Sequence, residues 1–317
     1  MIGRRRPTGA AAPSHAALTM VAPLFRKGPI ADRSPPPLRR VTAIDLVGDA
    51  RYACWPVEDQ RPRQTCVAFA VTACLELLRA KHEANLTPLS PQYLYWHMRQ
   101  HPWPGPPPPG WDEGATKLGY ANDVLSTYGI CRAESCPYVA YLPVDAPLEG
   151  PEPSDVATTE ALADRISDSY YVDYPDPATR PSGIAQQVYD LLAEQRPVAI
   201  SLPLFYLNPE NLLTTLDNPQ TLASGQVCDP PPGAAVPTNP SHPSTPGHAV
   251  CVVGFQPDRD EAIGGWFIFR NSLGLDWADA LDPENAHAPL VPVRGYGAIS
   301  ASYVEHCTWE IFSPRLP

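Results

Sequence analysis

A chain of 317 residues with a net charge of −11 is long enough for one large domain or two smaller ones sharing a cleft. The charge is uneven: residues 1–44 carry eight Arg or Lys against the single acid Asp32, and the remainder carries 15 basic against 33 acidic residues. An acidic body argues against nucleic-acid binding by the folded domain, and the lack of any 18-residue apolar run excludes a transmembrane helix.

Residues 1–44 read as a basic, Pro- and Arg-rich flexible arm, capable at most of weak tethering to a membrane or nucleic acid. Arg4, Arg5 and Arg6 precede Ala-rich sequence as in a leader, but Pro13, Ser14 and His15 interrupt its apolar part. Eight cysteines show no spacing typical of secreted scaffolds, so a cytoplasmic location is favoured over secretion. Cys131 and Cys136 lie close together in a loop and either pair or stay free.

A mainly helical lobe is expected over 45–178 and a mainly β lobe over 179–317. From Cys66, the apolar residues Phe69, Ala73 and Leu77 recur every four positions, with Ala70, Cys74 and Leu78 beside them, which predicts a helix with one broad buried stripe. Thr65 is its N-cap, so Cys66 sits in the first turn. Unpaired N–H groups and the helix dipole there favour thiolate over thiol, which suits a nucleophile. Further helices are expected from near Ser90, over 121–128 and over 158–165. The run His101–Gly110 is a stiff proline-rich connector.

Tyr170–Tyr174 reads as a strand, followed by an amphipathic helix after Ser182 that ends at Pro197, and by an alternating strand from Val198 to Leu204. Residues 206–247 form a long connection of the kind that serves as a lid or binding loop or is disordered, and 278–294 is a second insertion. Gly247–Gly254 and Gly265–Asn271 read as two strands of an antiparallel hairpin with its turn over 256–261. The midpoint between His248 and Asn271 falls in that turn, so the two should stand nearly opposite each other at the open end. An Asn accepting from one imidazole nitrogen leaves the other free to face a thiol, the arrangement of base and orienter that nucleophilic catalysis uses.

Taken in order, Gln60, Cys66, His248 and Asn271 resemble the papain-like cysteine peptidases over roughly residues 45–313. Pro56–Gln60, Leu89–Gln92, Tyr128–Ile130, Pro137–Tyr138 and Asn271–Trp277 fit the same pattern. The resemblance implies an α+β fold of two lobes, a helical one and a small antiparallel sheet or barrel, with the site in the cleft. It implies Cys66 as nucleophile, His248 as base and acid, Asn271 as orienter and Gln60 as oxyanion donor. Gly114 would pair with the substrate backbone and Trp277 would complete the asparagine motif beside the substrate. Peptides or proteins are the implied partners.

Several positions depart from the family. Gln64-Thr65-Cys66-Val67 replaces its Gly-Ser-Cys-Trp, Leu273 stands where a tryptophan covers the Asn–His hydrogen bond, and Arg63 stands where a disulfide cysteine would be. These features look most like the disulfide-poor bacterial branch. An acyltransferase or deamidase shares the same four residues, and a non-catalytic binding protein is the rival that Val67 and Leu273 suggest. His97 and His101 are four apart, but Pro102 ends the element, so no metal is implied. No nucleotide-binding glycine motif is present and no cofactor is implied.

Overall fold

The computed structural model describes residues 37–48, 55–83, 86–100, 111–174, 176, 178–208, 213–234, 247–278 and 294–315. Most of the basic arm, the connector 101–110, the stretch 235–246 before His248 and most of the second insertion (279–293) lie outside the described residues.

The chain runs β1 (Ile44–Asp45), α1 (Cys66–Glu83), α2 (Pro91–Gln100), a 3-10 turn (Trp111–Glu113), α3 (Leu118–Thr127) and α4 (Asp155–Leu162). It continues β2 (Asp168–Asp173), α5 (Ile184–Ala193), β3 (Val198–Pro203), β4 (Tyr206–Asn208), β5 (Leu213–Thr214) and α6 (Pro219–Ser224). Last come β6 (Gly247–Pro257), β7 (Gly265–Arg270), β8 (Tyr296–Ser300), α7 (Ala301–Cys307) and β9 (Glu310–Arg315). Helices α1 to α4 come first and an antiparallel sheet in the order β2-β9-β3-β6-β7-β8 follows, with β1 added to β6. This is the expected α+β architecture.

Helix α1 is the keystone. It packs on β6, β3 and β9 as well as on α2 and α3. Every residue from Thr65 to Ala80 is buried, so the helix is covered all round rather than along one stripe. Its charged side chains there are paired: Arg79 forms an ion pair with Asp164, and Glu76 accepts from Trp55 Nε1 (2.9 Å) and from the Leu89 N–H (2.8 Å). The Thr65 carbonyl accepts from Phe69 N–H at 3.1 Å to open the helix, while its hydroxyl is shared with Tyr138 (2.8 Å).

Helix α3 begins at Leu118 rather than near Ala121, and α4 begins at Asp155, capped by Ser154, rather than at Thr158, while α5 begins after Ser182 as expected. Distant carboxylates cap α3 and α5. Glu305 accepts from the N–H groups of Gly183 (2.6 Å) and Ala185 (2.8 Å), opening α5, and Glu310 accepts from those of Leu118 (3.2 Å) and Gly119 (3.1 Å), opening α3. Helix α5 ends before Pro197 because Gln195 takes a left-handed φ of 63°. The connection from 206 is not structureless, since β4, β5 and α6 occupy its described part. Asn218 accepts from Thr221 N–H at 3.0 Å to cap α6.

The hairpin that carries the histidine also differs in register. Pairing extends to Pro257↔Gly265, so the turn centres later than expected, and a bulge interrupts the ladder between Val252 and Gly254. Beyond the bulge Cys251 faces Arg270. Continuing that register puts Asn271 across from Val250, and His248 lies diagonally on the same face rather than opposite. At the far end of β6, Leu38 N–H donates to Ile263 O (2.9 Å) and β1 pairs with Phe255 and Gly254. The described end of the arm thus lies along the β lobe, remote from His248.

Candidate active site

Cys66 opens α1 and is 1% exposed. Burial pushes its thiol up to about 12, although the backbone N–H groups of Ala249, Val67 and Cys66 itself favour the thiolate. The Ala249 contact matters for geometry. It brings the sulfur to the residue next to His248, so α1 and β6 meet at the two candidate reacting groups.

His248 is 2% exposed, and its Nε2 lies 2.8 Å from Asn271 Oδ1. The same Oδ1 accepts from the Ser272 N–H at 2.8 Å. An amide nitrogen cannot accept that bond, so the oxygen of Asn271 must face both donors, and His248 must carry its proton on Nε2. Nδ1 is then a bare acceptor, buried and without a hydrogen-bond partner. Burial pulls the imidazole down to about 4 against the opposing effect of Asn271. Burial thus works against the thiolate that the helix start favours. Taken singly, each shift favours the neutral form of its own group.

Gln60 is fully enclosed. Its Oε1 accepts from Ser272 Oγ (2.7 Å), and one N–H of Nε2 donates to Arg63 O (2.9 Å). A primary amide has two N–H groups, so one is left over. The main chain is held as firmly: Gln60 N–H donates to Ser272 O (2.8 Å), Gly274 N–H to Glu58 O (3.0 Å) and Tyr138 OH to Gln60 O (2.8 Å). Ser272 thus touches both Gln60 and Asn271, a role that sequence reading missed although it adjoins the asparagine.

Behind Asn271 lies a second group that the sequence did not single out. Arg270 and Glu76 form a buried ion pair at 3.8 Å, the guanidinium stacks on Trp55 at 3.8 Å, and it also donates to Pro56 O. Burial pushes Glu76 up to about 7, against the pull of Arg270. A cavity of about 10 Å³ between these groups and Asn271 is too small for a substrate.

Gly114 has φ of 98°, and a Cβ there would meet Tyr95 Oη at 2.7 Å and Gln64 Cβ at 3.7 Å, so it borders the loop that leads to Cys66. Its N–H donates to Trp111 O (2.9 Å) and its carbonyl accepts from Tyr95 (2.8 Å), so both backbone groups already have partners. Trp277 is buried against Phe269 and donates to Leu216 O at 3.3 Å. Leu273 is buried and forms a bridge with Asp59. His97 stacks on Tyr128 beside Tyr93 and Trp96, while His101 lies outside the described residues.

No protein-family model and no curated protein matches this sequence. Solved structures do match it in fold. The structure of xylellain, a cysteine protease from Xylella fastidiosa, aligns over 100% of both chains with a TM-score of 0.59 and 18% identity. Digestive procathepsin L 3 of the Tenebrio molitor larval midgut aligns over 92% of this chain and 74% of its own (TM-score 0.53, 19% identity). Bromelain from Ananas comosus, in complex with the E64 inhibitor, aligns over 87% of this chain and 100% of its own (TM-score 0.52, 16% identity). The chain has the papain-like cysteine protease fold.

Proposed function

We propose that this protein is a cysteine-type peptidase acting on peptides or proteins. The observation that carries the reading is the hydrogen-bond chain from Ser272 N–H and His248 Nε2–H to Asn271 Oδ1, which leaves a bare, buried Nδ1 on the residue next to the amide facing Cys66. In this reading Cys66 attacks the scissile carbonyl carbon as its proton passes to His248 Nδ1. The spare N–H of Gln60 and the Cys66 N–H receive the oxyanion. The tetrahedral intermediate collapses to a thioester, and the imidazolium gives its proton to the departing amine. Water, deprotonated by His248, then attacks the thioester, releasing the acid and restoring the thiol. Asn271 keeps the ring aligned throughout, and the carbonyl of Gly114 offers its second lone pair to an extended substrate.

Burial favours the neutral form of each group, so in this reading His248 acts as a general base during attack. Substrate reaches the sulfur only when whatever covers Cys66 moves aside. That burial also favours a second reading, a closed scaffold without turnover. Peptide hydrolysis by the parent, with Cys66→Ala and His248→Ala both inactive but folded, supports the peptidase. Equal turnover by parent and Cys66→Ala overturns it. Amide transfer to an added amine, or release of ammonia without chain cleavage, would assign the same residues to an acyltransferase or a deamidase.

A further inference from the structure

Arg63 stands three residues before Cys66, in the loop that leads from Gln60 into α1, and is 8% exposed. Its Nη1 donates to Gln92 Oε1 (2.6 Å) and Val139 O (2.8 Å), and its Nη2 donates to Leu148 O (3.1 Å) and Glu149 O (3.0 Å). The guanidinium carbon lies 5.2 Å from the ring centroid of Tyr95 and 5.0 Å from that of Tyr138. Among the described residues no carboxylate forms an ion pair with it. A buried cation without a counter-ion is costly, and here one amide oxygen, three main-chain carbonyls and two aromatic rings stand in for water.

The main chain of the same residue completes a link. Arg63 O accepts from both Gln60 Nε2 (2.9 Å) and Thr65 N–H (2.9 Å). The side chain therefore grips α2 and the segment 139–149, while the carbonyl grips the candidate oxyanion donor. Gly150 shows how closely the segment is drawn in: at φ of 80°, a Cβ there would lie 2.9 Å from Gln92 Nε2 and 3.3 Å from Arg63 Nη2.

We infer that Arg63 is a positioning residue for the oxyanion site. Its guanidinium clamps the loop 60–66 to the segment 139–149, and so fixes the Gln60 amide with its second N–H turned toward the developing oxyanion. The inference rests on the reading of Gln60 as an oxyanion donor. An oxyanion exists only in the transition state and intermediate, so loss of the clamp lowers kcat and leaves KM nearly unchanged. Lysine keeps the charge but has no planar fork to reach four acceptors, so it restores the function only in part.

The test compares the full-length parent with Arg63→Met and Arg63→Lys, each alone and combined with Gln60→Ala. Arg63→Met is expected to lower kcat about 10-fold or more with KM within about twofold, and Arg63→Lys to fall between it and the parent. In the Gln60→Ala background the same change should cost no more than about twofold, because the two act as one unit. Full multiplicative losses in the double variant would overturn the link to Gln60. Hydrogen exchange supplies a readout independent of activity: amides in 60–66 and in 139–150 should both exchange about 10-fold faster in Arg63→Met, with the β6–β7 hairpin unchanged. Loosening of neither segment, or of only one, overturns the clamp. If Arg63→Met does not fold, Arg63→Lys carries both measurements. A parent that cleaves no peptide removes the peptidase reading and the oxyanion role with it, and exchange still decides whether the clamp exists.

Discussion

The sulfur of Cys74 lies 3.4 Å from the sulfur of Cys251, and the two residues join the helix that begins at Cys66 to the strand that begins beside His248. Both are fully buried, and burial raises the Cys74 thiol well above its usual range. The contact sets the spacing between the helix and the strand that carry the proposed nucleophile and base. Cys74→Ala should therefore be tolerated with a modest loss of Tm. Cys74→Leu adds volume where none is free, which typically costs about 1–3 kcal/mol. It should also lower kcat/KM in the fraction that remains folded, by pushing α1 away from β6. Parental turnover in folded Cys74→Leu would show that this spacing does not govern the site.

Gln60 and Asn271 should fail differently. In the proposed mechanism Gln60→Ala removes an oxyanion donor, for which a loss of about 10² to 10³ in kcat is typical. Asn271 is assigned there only to orient the ring, so Asn271→Ala should cost less, and its pH profile should change because Nε2 loses its acceptor. Steady-state kinetics on the two variants decide the matter. An Asn271→Ala defect as deep as that of Cys66→Ala would contradict this division of roles.

The Arg270–Glu76 pair is a stability prediction. Glu76→Ala leaves the Arg270 guanidinium buried with less compensation and strips the acceptor from Trp55 and Leu89. Breaking a buried pair from one side costs about 3–5 kcal/mol, which thermal melting would register as a large drop in Tm. Arg270 adjoins Asn271, so turnover should fall as well. An unchanged Tm would mean that the pair adds nothing to the fold.

His248 makes stability depend on pH. Its folded-state pKa is pulled down from 6.5 to about 4, so the unfolded chain takes up the proton first as pH falls. The contribution is present above pH 6.5 and is lost as pH drops through about 4, amounting to about 3 kcal/mol. Denaturant midpoints across that window should fall more steeply for the parent than for His248→Gln, which cannot titrate. Parallel curves would contradict a buried neutral imidazole.

Local patterns made much of this architecture legible. The apolar spacing after Cys66 marks α1, the alternation around His248 marks β6, and Asn271 stands where β7 stops. What escaped depends on contacts between distant segments. The bulge near Val253 shifts the register of the hairpin, and Glu305 and Glu310 cap helices more than a hundred residues away. Arg63 reads in sequence only as an absent cysteine, because its four acceptors come from α2 and from a segment with no periodic pattern. The effect of burial on Cys66 and His248 also escaped. A helix start argues for thiolate, whereas complete burial works against it, and burial is a property of the whole packed domain.

The most direct test of the central claim, that Cys66 is a nucleophile served by His248, is covalent labelling by an epoxide thiol-protease probe at neutral pH, mapped by mass spectrometry. An activated site should place the probe on Cys66 alone among the eight cysteines, and His248→Ala should abolish the label while Asn271→Ala slows it. Label scattered over other cysteines, or equal labelling of Cys66 in the parent and in His248→Ala, would contradict the account.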